Sequence, residues 1–152
     1  MARLESINAC LLSGNLPSAR AAAKDFLLSA LSTADPYLQA LAWDLKARLA
    51  MTESDWHGAR ESMRQACGIV EKFEILVPAW QVYSTAWHLH ERLKESQKAK
   101  ASRKRAATCI LKIADSFAPD EPLRATFLAA APVRRILHDQ TSTKSARQTS
   151  GH

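Results

Sequence analysis

Glycine and proline are scarce in this chain, with four and six residues respectively among 152. A fold of many short strands needs turn formers far more often than that, so an all-β or barrel architecture is excluded. Few glycines also exclude a phosphate-cradling loop, and no G-x-x-x-x-G-K, G-x-G-x-x-G or G-x-S-x-G run occurs. No apolar run approaches the roughly 20 residues that span a bilayer. The N-terminal residues Met1 to Ser6 hold no uninterrupted apolar core of a secretion signal. Cys10, Cys67 and Cys109 are odd in number, far apart and without a C-x-x-C pair, which reads as reduced, small apolar side chains. Together these absences predict a soluble, cytoplasmic protein with no membrane association.

Alanine and amphipathic periodicity fill the space. The spacing predicts a first helix over Leu4–Leu12, stopped by Ser13-Gly14-Asn15. A second follows Pro17 and carries Ala19, Ala22, Ala23, Phe26 and Leu27. Asp35 is placed as the N-cap of a third, with Pro36 at its first position and Leu38, Leu41, Ala42, Leu45 and Leu49 as its apolar stripe. Thr52 to Asp55 resembles a capping box before a fourth, lined by Trp56, Ala59, Met63, Ala66, Val70 and Phe73. Pro78 is expected to open a fifth helix, apolar over so wide an arc that it must touch neighbours on two sides. A polar stretch, Lys94–Lys100, leads to a sixth helix buried through Ala106, Ile110, Ile113, Ala114 and Phe117. Asp120 is expected to cap a seventh element with Pro122 in its first turn, and Pro132 to begin a last turn carrying Val133, Ile136 and Leu137. From His138 the chain is almost free of apolar residues and reads as a disordered polar tail, so the domain expected is 1–137 and the tail 138–152.

Helix pairs recur at 4–31, 35–73 and 78–117, and Pro36 to Pro78 suggests a 42-residue period. The second helix of each pair carries alanines, which let helix axes approach closely. On Gly14 and Ala19, and on Trp43, Ala47, Ala59 and Ala66, the chain resembles the tetratricopeptide-repeat family in a longer, degenerate form. The usual repeat tyrosine is missing and the third repeat carries the polar stretch as an insertion. Residues 78–137 are further similar to the C-terminal helical end of large bacterial signalling proteins. The pattern runs through Pro78-Ala79-Trp80, Arg105-Ala106, Ile110, Ile113-Ala114, Leu123-Arg124, Phe127-Leu128, Pro132-Val133 and Ile136-Leu137. In those proteins a P-loop ATPase and helical repeats are joined to a nucleotide cyclase, a kinase or a DNA-binding domain. The resemblance implies an all-α fold of stacked helical hairpins, a TPR-like superhelix, with Leu123–Leu137 as its C-terminal cap. It implies a protein–protein interaction or interdomain scaffold module of a signalling or transcription-regulatory system.

Chemistry-bearing residues are sparse. His88 and His90 are two apart on a helix and point about 200° from each other, so they cannot share an ion. His57 and His138 have no partner at ligand spacing, so no metal and no cofactor is expected. Glu53 with Asp55, and Asp120 with Glu121, sit where helix N-termini favour carboxylates. The expectation is a non-enzymatic chain whose partner is another protein or domain, with a homo-oligomer left open.

The net charge of +6 is uneven: residues 1–93 carry −1 and residues 94–152 carry +7. Lys98, Arg105 and Lys112 lie seven residues apart and share one helix face, widened by Lys100 and Lys104. They are the candidate partner-binding residues, for an acidic protein segment. The alternative is a nucleic-acid module, although the aromatic residues that stack bases are missing beside them. Trp43, Trp56, Trp80 and Trp87 are assigned instead to the core.

Overall fold

A computed structural model describes residues 16–137. Six helices follow in order: α1 Leu16–Leu31, α2 Pro36–Thr52, α3 Trp56–Phe73, α4 Leu76–Arg92, α5 Ser96–Asp115 and α6 Pro122–Ala129. A further helical stretch covers 131–137, and no strand occurs among the described residues. The fold class is all-α, as the periodicity requires. The helix expected over Leu4–Leu12 and the tail from His138 lie outside the described residues.

Local chemistry sets most helix ends. The Asp35 carboxylate accepts from the Tyr37 N–H at 3.0 Å, and Pro36 stands at N1 with no N–H to leave unpaired. Asp55, the last residue of the expected capping box, accepts from the Gly58 N–H at 3.0 Å. Thr52 belongs instead to α2 and donates its hydroxyl back to Arg48 O. Gly58 has a reason to be glycine, because a Cβ there would stand 2.3 Å from Asp55 Oδ2. Two other expected starts shift. α4 opens two residues before Pro78, which sits in the first turn where its missing N–H costs nothing. At α6 the N-cap is Glu121 rather than Asp120, and no side chain caps it.

The hairpins α2–α3 and α4–α5 make the most extensive helix contacts, and α2 also packs directly on α4. α1 packs on α2, α3 on α4, while α6 touches α5 lightly. The broadly apolar α4 therefore meets α2, α3 and α5, and it buries Val82, Tyr83, Ala86, Trp87 and Leu89. Trp87 is buried, and Trp43, Trp56 and Trp80 pack half-buried against the same core. Val133 and Ile136 close that core from the C-terminal side.

The repeat period is 40 residues rather than 42. Glu53, Ser54 and Asp55 donate to Leu49, Met51 and Ala50, and Leu93, Lys94 and Glu95 donate identically to Leu89, Glu91 and His90. Ser54 and Lys94 both adopt the left-handed region, at φ 59° and 60°. Ala19, Ala59 and Ala99, each 40 apart, are all buried, as are Ala66 and Ala106. Pro36 and Pro78 mislead because they hold different helix positions, first and third. The supposed polar insertion is absent too: 96–100 opens α5, and its polar residues face outward while Ala99 is buried.

Candidate interaction grooves

A groove lies between α2 and α4, with a volume of about 780 Å³. Arg48, Met51 and Thr52 line it from α2, and Thr85, His88, Glu91 and Arg92 from α4. One turn below Arg48 sits Asp44, a carboxylate only 3% exposed. Arg48 Nε lies 3.3 Å from Asp44 Oδ2, near enough for attraction but without hydrogen-bond geometry, and Asp44 Oδ1 has no hydrogen-bond partner. Burial pushes this carboxyl up from its ordinary range, against the pull of Arg48 and the neighbouring Thr85 hydroxyl. A polar pair so incompletely satisfied is unusual in a helical core, where nearly all buried polar atoms find partners.

A second groove of about 380 Å³ is bounded by α3, α4 and α5. Lys98 and Arg105 line it, together with Arg60 and Arg64 from α3 and His90 from α4. Lys112, the third expected residue, lies in the last turn of α5 outside this lining. Lys100 does not widen the face either. Two residues on from Lys98 it points elsewhere, into a separate cleft with Trp87 and Arg103. Arg103 stacks over the Trp87 ring at 4.6 Å, and the Trp87 indole donates to Glu91 Oε1 at 2.8 Å.

Carboxylates interrupt the basic face. Lys98 Nζ lies 3.0 Å from Glu95 Oε2, Arg60 pairs with the same Glu95, and Arg105 Nη1 reaches Glu71 Oε1 at 2.8 Å. The Lys98 and Arg60 contacts hold the Glu95 carboxyl below its usual range. Arg105 also lies over the Tyr83 ring at 5.6 Å. Periodicity could not show the Arg60–Glu95 and Arg105–Glu71 pairs, whose members are 35 and 34 residues apart and meet through packing.

The histidines separate as helix geometry demands: His88 lines the α2–α4 groove and His90 the α3–α5 groove. Desolvation lowers both imidazoles from their usual range, only in part at His88, which is exposed at its groove. Among the described residues no three of His, Cys, Asp and Glu gather to hold a metal ion. Burial and the nearby Glu71 push the Cys67 thiol up to about 11, and burial raises Cys109 as well. Both thiols therefore stay protonated near neutral pH. No described helix is long and apolar enough to cross a membrane.

No protein-family model, curated protein or solved structure matches this chain.

Proposed function

We propose that this chain is a cytoplasmic protein–protein interaction or interdomain scaffold module of a signalling or transcription-regulatory system, and not an enzyme. On this reading its hairpins stack as a TPR-like superhelix, closed at the C-terminal side by 123–137. Support comes from the packing order among the described residues, in which the α2–α3 and α4–α5 hairpins are tight and α2, the first helix of one, rests on α4, the first helix of the next. The observation that carries the reading is the α2–α4 groove itself. Its two first helices present Arg48, Arg92 and Glu91 beside Met51, a mixture suited to a folded or extended protein segment rather than to a small apolar ligand.

A nucleic-acid role for α5 has less support. Lys98 and Arg105 are engaged with carboxylates that phosphates would have to displace, and Lys112 stands apart from them. Site-specific photocrosslinking from Thr52 and His88, both exposed at the groove, tests the proposal in the native cell. A discrete crosslinked protein, lost when Arg48 and Arg92 are changed to Glu, is the expected result. Crosslinks to nucleic acid alone, or none at either position, overturn it.

A further inference from the structure

Two grooves on this chain are one groove repeated. A cavity of about 410 Å³ beside α1 and α2 is lined by Arg20, Ala23, Lys24, Leu27, Leu49 and Ala50. Forty residues on, Arg60, Met63, Arg64, Cys67, Leu89 and His90 line the 380 Å³ groove. In each, the second helix of one hairpin supplies two cations one turn apart, with a small or apolar residue between them. The first helix of the next hairpin supplies the leucine of the floor. In each, the first cation is held by an acid of the following hairpin turn, Arg20 by Glu53 at 2.6 Å and Arg60 by Glu95.

The second cation is not tied to the hairpin turn. Lys24 has no carboxylate partner among the described residues, and Arg64, 69% exposed, donates through both Nε and Nη2 to Glu61 on its own helix. Around the first groove Arg20, Lys24 and Lys46 outnumber Glu53 and Asp55, and Asp55 is committed to capping α3. Around the second, Arg60, Arg64, Lys98 and Arg105 outnumber Glu61, Glu71 and Glu95, the carboxylates they pair with. An apolar floor under unbalanced positive charge fits an apolar side chain with a carboxylate next to it.

We propose that the two grooves form one bipartite track for an extended acidic segment of a partner protein, with one apolar–acidic unit seated in each. The track is distinct from the α2–α4 groove, as His88 and His90 on opposite sides of α4 show, so it goes beyond the reading above. Helices in direct contact lie about 8–10 Å apart, and successive hairpins advance by about one such spacing. A polyproline-II segment presents every third residue on one side at a rise of about 9 Å, which matches. The third register is already taken. Arg103 stands where Ala23 and Met63 stand, and its guanidinium donates to Arg135 O at 2.9 Å and Ile136 O at 3.3 Å. The chain's own C-terminal segment therefore ends the track after two units.

The test is fluorescence anisotropy of the full chain with labelled synthetic peptides of Leu-Glu-Pro triplets, carrying one unit or several, at physiological salt. The multi-unit peptide is expected to bind at least about tenfold more tightly than the single unit, because the second contact is intramolecular. Lys24→Glu and Arg64→Glu, both on exposed side chains, are each expected to reduce it to single-unit affinity, and the double variant to abolish binding. Circular dichroism of each variant should match the parent. Equal affinity for one and several units, equal binding of a Gly-Glu-Pro peptide of the same charge, competition by duplex or single-stranded DNA, or no binding at all overturns the proposal. Arg92→Glu, on an exposed side chain of the α2–α4 groove, should leave peptide binding unchanged, so the two proposals fail independently.

Discussion

Replacing Asp44 by Asn should stabilise the protein at neutral pH and leave it unchanged in acid. Asp44 is 3% exposed, and desolvation outweighs Arg48 and Thr85, so its folded carboxyl holds a proton more tightly than the ordinary value of 3.8. The unfolded chain ionises first as pH rises. From about 3.8 upward, folding must then retain or recover a proton, which costs up to ~1.4 kcal/mol per pH unit until the folded group ionises too. Below that window both states are protonated and the cost is gone. Asparagine keeps the shape and bears no charge. The stability difference between variant and parent should therefore be smallest near pH 3 and grow in favour of Asn as pH rises through the unfolded value of 3.8, levelling off once the folded carboxyl ionises. Urea denaturation followed by tryptophan fluorescence across pH 3 to 7.5 measures it, and other titrating groups cancel between the two proteins. A difference that favours Asp at neutral pH and shrinks in acid would mean that Arg48 wins over burial, and would refute the reasoning.

Ala66→Leu should destabilise by ~1–3 kcal/mol, more than Leu38→Ala, because Ala66 is fully buried where α3 meets its neighbours and Leu38 is half-buried. An unchanged denaturation midpoint for Ala66→Leu would show that the hairpin packing is wrong. Gly58→Ala should cost about 1 kcal/mol despite alanine's better helix propensity, because the new methyl displaces the Asp55 cap, and the loss should largely vanish in an Asp55→Ala background. Cys67, with its thiol near 11, should react with iodoacetamide at pH 7.5 only slowly when native and readily in urea, as peptide mapping would reveal. Changing Lys98, Arg105 and Lys112 together to Glu should not alter duplex affinity at physiological salt, since non-specific binding, losing about 0.9 in log affinity per log salt for each phosphate, should already be absent there. Sequence-preferring, submicromolar binding that these changes abolish would restore the nucleic-acid reading.

Much of the helical order was legible along the chain. Asp35-Pro36 and the alanine stripes act within one or two helical turns, where side-chain type alone decides which backbone groups are satisfied and which face is apolar. The repeat length was misread where a local signal had two meanings. A proline suits the first or third helical position equally well, so Pro78 could not set the repeat length. Seven-residue spacing aligns Lys98, Arg105 and Lys112 on one face, but not what that face meets.

What the sequence determined by itself was an all-α chain of paired helices with alanine-lined contacts, because periodicity and capping are short-range. The tertiary structure alone decided the 40-residue register, the burial of Asp44, the meeting of Arg60 with Glu95 and the recurrence of one groove at Arg20 and Arg60. Those features join residues tens of positions apart. They depend on the angle and depth at which helix faces interlock, and that is set by the sum of many packing contacts rather than by any local pattern.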